Sequence, residues 1–256
     1  MHILLILISS FLSLKVFSFD PNSAHRTPGT SFEAYENRAI RDTIGVQSSE
    51  PTVLDRATYF SQSGLRDATH WPSYSKVLTR FRHVRDVRFL NWLRNPDFTR
   101  RSSWLYPDDG CYIRAALAVI NARKLGAGTP NKVFAFGNLK ATTANSPKGY
   151  VTWWYHVAPI VQVGSTKYVL DPAIEPSKPL TLTAWLSRMG DPATMKVAIC
   201  GSGAYVPSST CKKISDGTEG TATKNQNKFL DYEWDRLVKL GRNPELELGG
   251  SPPWSN

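Results

Sequence analysis

The sequence predicts an α+β fold, an antiparallel β-sheet packed with helices, and three observations carry that prediction. An Ala/Leu/Ile/Val-rich run from Cys111 to Lys124 has helical character. Segments 132–139, 150–163 and 166–170 are β-branched and aromatic, hence strands. Gly164-Ser165 joins the last two as a two-residue hairpin signal, which sets them antiparallel. At 256 residues the chain is long enough for one good core, or one domain with an N-terminal extension.

The elements follow in order. Residues 1–18 read as a secretory signal: an apolar stretch from Ile3 to Leu14 precedes Val16-Phe17-Ser18, which resembles a cleavage site, although no Lys or Arg leads it and Lys15 comes late. The stretch is too short for a comfortable transmembrane helix. Residues 19–70, rich in Pro, Ser, Thr and Gly, read as an N-terminal extension or pro-segment. The main domain is expected over 71–242. It begins with a helix from about Tyr74 to Leu93, ended by the Asn95-Pro96 break. Pro107, Asp108, Asp109 and Gly110 then break the chain, the Cys111 helix runs to Lys124, and Gly126 stands as its stop. A short helix includes Thr183 to Met189, residues 212–227 form a polar, flexible connection, and Phe229 to Leu240 form an amphipathic helix. A Gly/Pro-rich tail occupies 243–256.

The formal charge is +10 and the pI about 9.6, so acidic surfaces or acidic protein substrates are attracted. Nucleic acid is not expected as a partner, because the basic residues are spread along the chain and no recognition signature accompanies them. Arg80, Arg82, Arg85, Arg88, Arg94, Arg100 and Arg101, interleaved with Phe81, Val84, Val87, Phe89, Leu90, Trp92 and Leu93, read as a solvated amphipathic helix on the core. Export gives the cysteine count a meaning. Cys200 and Cys211 are neighbours across Gly/Pro/Ser-rich sequence and can close one disulfide, leaving Cys111 as a free thiol. Full reduction, or pairing of Cys111 between chains, stays open.

Cys111 falls in the first turn of its helix, where unpaired N–H groups and the positive end of the dipole favour thiolate over thiol. The alternative is a small buried hydrophobe. The hairpin decides which partners are available. If Gly164-Ser165 is the turn, Val163 pairs with Thr166 and Asp171 lies opposite Ala158, two residues from His156. His156 and Asp171 then share a face as diagonal neighbours, unless a bulge near Pro159 breaks the count. Asp171-Pro172 also reads as a turn former, and His156 as a core histidine. Together, a helix-start Cys, a strand His and a neighbouring-strand Asp make the arrangement that a thiol nucleophile requires.

At these residues the chain resembles the secreted protein-glutaminases, protein-glutamine deamidases whose fold is related to the transglutaminase core. The resemblance rests on YPDDGCYIRA around Cys111, VFAFGNLKA at 133–141, WWYHVAPIV with His156, VLDP with Asp171 and the TAW of Thr183–Trp185, and it covers roughly 100–200. It implies Cys111 as nucleophile, His156 as general base and acid, and Asp171 as the carboxylate that orients His156. It implies attack on the carboxamide of a protein- or peptide-bound glutamine, ammonia release and hydrolysis of a thioester, with no metal or organic cofactor. Trp154 is placed on His156's face by alternation and, with Tyr155, is expected to wall the glutamine slot; Asn138 and Lys140 are expected along the cleft. Transfer to a lysine amine, as in a crosslinking transglutaminase, or cleavage as a cysteine peptidase would use the same triad. A non-catalytic secreted binding module is the further alternative. The chain is expected to be secreted or periplasmic, monomeric and without a stable membrane anchor.

Overall fold

The computed structural model describes the backbone of residues 54–55 and residues 67–126, 128–205 and 218–250. The signal (1–18), most of the 19–70 extension, Cys211 and residues 251–256 of the tail lie outside the described residues. Eight strands are present among those described: β1 (Leu54–Asp55), β2 (Leu90–Trp92), β3 (Asn95–Arg100), β4 (Asn131–Thr142), β5 (Tyr150–Val163), β6 (Thr166–Val169), β7 (Leu180–Thr181) and β8 (Lys196–Cys200). The helices are α1 (Tyr74–Asp86), α2 (Cys111–Lys124), α3 (Leu182–Ser187), α4 (Thr218–Lys239) and α5 (Pro244–Leu248), with a 3₁₀ turn at Pro192–Thr194. The fold is α+β. One six-stranded sheet runs in the order β1-β8-β4-β5-β6-β7, every pair antiparallel, and β2-β3 form a separate hairpin.

α2 and β5 position the site. Most of α2 is buried around its whole circumference, from Cys111 through Ala122, as expected of a helix that is apolar on all sides. Its last turn carries Arg123 and Lys124, which suit the negative end of the dipole. Gly126, in the left-handed region at φ 64°, stops it as expected. One cluster joins α2 to Phe134, Phe136, Trp154, Tyr155 and Val157 of the sheet and to Phe229 and Leu230 of α4. A second joins Val133, Ala135, Leu139, Trp153, Ala158 and Ile160 to Leu182, Trp185 and Leu186 of α3. α1 covers the far end of α2 through Val77, Phe81 and Val84.

Three expectations are corrected. The helix expected to reach Leu93 ends at Asp86, and Leu90–Arg100 form the β2-β3 hairpin instead. Pro96 sits in the edge strand of that two-stranded sheet, where a missing N–H is tolerated. The arginines of this stretch are only in part a solvated face: Arg82, Arg88 and Arg94 are exposed. Arg85, Arg100 and Arg101 are buried, and the last two share the buried carboxylate of Glu233 at 2.8 and 3.0 Å. The Glu233 Oε1 that accepts from Arg101 also accepts from the Leu105 N–H at 2.8 Å, which fixes the chain leading into the Cys111 turn. Finally, residues 218–227 of the expected flexible connection are helical, because Ala222 and Gln226 bury one face of α4 and Gln226 donates to Ser103 Oγ at 2.7 Å.

The ends of the expected main domain also gain detail. Trp71 N donates to Gln162 O at 2.8 Å and Gln162 N to Thr69 O at 2.9 Å, while Ala68 and Trp71 are buried. Residues 68–71 are therefore tied into the sheet across the expected boundary at 70/71. In the tail, Pro244–Leu248 form α5 and Leu248 is buried against Trp104, Leu105 and Leu237.

Candidate active site

The chain enters the site through the Tyr106–Gly110 turn. Gly110 is the N-cap residue of α2 in the left-handed region, φ 79°, and supplies no side-chain cap. A Cβ there would meet the Phe229 ring at 3.1 Å, so glycine answers both the dihedral and the close approach of α4. The turn is held by several donors. Arg114 Nη1 reaches Asp109 O at 2.6 Å and Tyr106 O at 3.1 Å, and Arg236 Nη1 reaches Asp108 Oδ2 at 2.6 Å. Trp153 Nε1 donates to Pro107 O at 2.9 Å and to Asp108 O at 3.2 Å. Cys111 is a free cysteine, buried at the helix start.

The hairpin has the expected register. Val163 pairs with Thr166 and Ile160 with Val169, and Leu170 N continues the ladder to Pro159 O at 2.9 Å. Asp171 lies two residues past the end of β6, on the line of that strand rather than within it. His156 Nε2 and Asp171 Oδ2 are 2.7 Å apart and both side chains are buried. Both readings of Asp171 hold at once: Oδ1 accepts from Ala173 N at 3.2 Å and shapes the turn, while Oδ2 takes His156 and the Trp185 Nε1–H at 2.8 Å.

These surroundings set the electrostatics. Burial alone would lower the pKa of His156; Asp171, by charge and hydrogen bond, outweighs it and, with Cys111, raises the pKa to about 9. Burial likewise opposes the charge of Asp171, but His156, the Trp185 N–H and Arg114 hold its carboxyl below the ordinary carboxylate range. Nε2 is committed to Asp171, and Nδ1 is buried without a hydrogen-bond partner, which leaves it for the thiol. Tyr155 is fully buried beside Cys111; burial first, and then Cys111 and Asp109, push its hydroxyl well above the ordinary value. A small cavity of about 20 Å³, lined by Cys111, Arg114, Pro159 and Asp171 among others, has room for about one water.

The expected site residues do not all come together as alternation implies. Cys111, His156 and Asp171 meet, and Tyr155 packs beside the thiol. Trp154 does not share His156's face. It packs with Tyr155, Phe136 and the α2 cluster, and Trp153 instead stacks on His156, centroids 4.5 Å apart and planes at 16°. The cause is a bulge. Phe136 pairs with Tyr155 and Leu139 with Trp153, so Gly137 and Asn138 together oppose Trp154 and β5 rotates there. Asn138 is exposed at this bulge, and Lys140, also exposed, covers the Tyr150 ring at 4.2 Å. Sequence reasoning missed Trp185, which stacks on His156 at 5.7 Å as well as donating to Asp171, and Arg114 beneath the turn. Among the described residues no group of three His, Cys, Asp or Glu is placed to hold a metal ion, and no helix is long and apolar enough to cross a membrane.

Residues 78–189, which contain the whole of this arrangement, match a family model, Gln_deamidase_2, described as glutaminase. The match covers under half of the chain. No curated protein sequence matches the chain. Among solved structures, a crystal structure of protein-glutaminase is similar at 22% identity, covering 72% of this chain and 93% of that one with a TM-score of 0.49. The NMR structure of protein-glutaminase from Chryseobacterium proteolyticum is 23% identical, covering 59% and 84%, with a TM-score of 0.45. The A47Q2 mutant of pro-protein-glutaminase is 23% identical with a TM-score of 0.44 over 61% of this chain, which spans 56% of that longer one.

Proposed function

We propose that this chain is a secreted cysteine hydrolase that deamidates glutamine side chains held in proteins or peptides, on a transglutaminase-related core. The observation that carries the reading is the buried His156–Asp171 pair set against Cys111 at the start of α2. The glutaminase match over 78–189 supports glutamine as the group acted on.

In this mechanism the Cys111 sulfur attacks the carboxamide carbon of the substrate glutamine, and the oxyanion is met by the Cys111 N–H in the first turn of α2, which no side chain caps. His156, protonated at neutral pH by virtue of Asp171, gives its proton to the departing ammonia, and a thioester remains. Neutral His156 then takes a proton from water as the water attacks the thioester; sulfur leaves, glutamate is released and the imidazolium is restored. The cavity beside Cys111 has room for that water. Asp171 keeps one nitrogen of the ring occupied and stabilises its charge, with Trp185 fixing the carboxylate. Tyr155 and the exposed Asn138 at the bulge are assigned to the glutamine slot. The buried Trp154 is assigned to the wall behind Tyr155.

The test is incubation of the protein with casein, following ammonia, conversion of glutamine to glutamate by mass, isopeptide products and new peptide termini. Ammonia without crosslinks or new termini is expected, and Cys111→Ala abolishes it. Undiminished ammonia release by that variant would overturn the mechanism. Part of the 19–70 extension is further assigned to a removable pro-segment, with residues 68–71 bonded into the sheet and Leu54–Asp55 paired with β8. Equal activity of full-length and trimmed protein would dismiss that assignment.

A further inference from the structure

The catalytic assignment leaves one feature of the site unexplained: a tryptophan that touches both of its halves. Trp153 is fully buried on β5. Its ring face lies on the His156 imidazole, centroids 4.5 Å apart with planes nearly parallel at 16°. Its Nε1–H is shared between Pro107 O at 2.9 Å and Asp108 O at 3.2 Å, the carbonyls of the turn that delivers Gly110 and Cys111. One rigid indole therefore spans from the imidazole to the chain that carries the thiol, across 45 residues of sequence. The face that strand alternation assigns to Trp154 is given to Trp153 by the Gly137–Asn138 bulge, which interrupts the ladder to do so.

We infer that Trp153 is a positioning residue that sets the spacing between Cys111 and His156, a role that rests on reading those two as nucleophile and base. Removing the N–H while keeping the ring frees the Pro107-Asp108 carbonyls, lets the turn drift, and lengthens the thiol–imidazole contact without touching substrate. A drift of about an ångström in such a geometry lowers turnover by on the order of 10²-fold.

The test compares full-length wild type with Trp153→Phe, and with a variant carrying 3-benzothienylalanine at 153, which has the shape of tryptophan but no N–H. Two readouts are taken: steady-state ammonia release from a glutamine peptide, and the pH profile of Cys111 alkylation by iodoacetamide. Expected are a kcat lower by roughly 10- to 100-fold, an unchanged KM, and an alkylation profile displaced along the pH axis, with the benzothienyl protein folding like wild type. A benzothienyl variant with wild-type kcat and alkylation profile overturns the inference. So does a loss of activity that merely follows lost thermal stability while the alkylation profile stays put. A displaced profile in a protein whose wild type releases no ammonia would sink the deamidase reading and leave the positioning role standing.

Discussion

Replacing Asp171 by Asn tests the electrostatic core of the site. In the folded chain His156 has its pKa raised from 6.5 to about 9, against burial and because of Asp171. A group whose folded pKa is raised contributes stability that is complete below the unfolded value and is lost as pH rises through the folded one. The window therefore runs from about 6.5 to about 9. At about 1.4 kcal/mol per unit, the contribution is on the order of 3 kcal/mol, shared by the pair rather than owned by either partner. Lys132 acts in the opposite sense over an overlapping range. Burial lowers its pKa from 10.5 to about 7, so the unfolded chain binds the extra proton and stability rises with pH there. The wild-type profile alone will look flat. The informative quantity is the difference in urea unfolding free energy between wild type and Asp171→Asn, in which Lys132 cancels. That difference should be largest near pH 6 and shrink by about 3 kcal/mol towards pH 9.5. Ammonia release at pH 7 should fall by on the order of 10²- to 10⁴-fold, because the buried imidazole without its carboxylate no longer holds a proton to give. A stability difference that is constant across this range would refute the assignment of the His156 charge to Asp171.

Other perturbations separate the parts of the fold. Gly110→Ala forces an L-residue to φ 79° and brings a Cβ within 3.1 Å of Phe229, so a loss of about 1–3 kcal/mol by urea unfolding is expected, with activity falling further than stability. Glu233→Gln leaves Arg100 and Arg101 buried without their countercharge and should cost about 3–5 kcal/mol by the same measurement. Lys132→Met removes a buried amine whose hydrogen bond is to Ala204 O at 2.6 Å, and should raise the melting temperature at pH 6 more than at pH 10. If Cys200 and Cys211 are joined, mass spectrometry after alkylation of the denatured, unreduced protein will find one modified thiol, Cys111, and three after reduction.

How much of this was legible in the sequence depended on whether the deciding contact was local. The Cys111 helix was legible because Gly110, the Ala/Leu/Ile run and Gly126 are all adjacent in the chain. The His156–Asp171 approach was legible because a two-residue turn fixes the register of everything behind it. The face of Trp154 is set non-locally: alternation along β5 is overridden by a bulge that belongs to its partner β4. A signal was present. Gly137, at φ 151°, is a glycine inside a strand pattern, which is a common mark of a bulge. The β2-β3 hairpin was hidden because Arg88, Leu90, Trp92 and Arg94 alternate no more clearly than they repeat at helical spacing. What separates the two is the buried Glu233, more than a hundred residues away.

That dependence on distant groups bears on what the family match means. The matched segment ends at residue 189, yet α4, which begins at Thr218, carries much of the support for the Cys111 turn. Phe229 lies under Gly110, Glu233 accepts from Leu105 N, and Arg236 grips Asp108 while covering the Tyr106 ring at 4.9 Å. Arg236 also donates to Asn145 O at 2.8 Å, joining the turn to the 143–149 loop between β4 and β5. The thiol, the imidazole and the carboxylate are supplied by the matched segment, but the conformation that delivers the thiol is braced from outside it. Part of the chain's large positive charge is spent in the same way, on backbone carbonyls and carboxylates within the fold rather than on a partner's surface. A segment cut at the limits of the match would keep Cys111, His156 and Asp171 and lose the brace that holds the Cys111 turn.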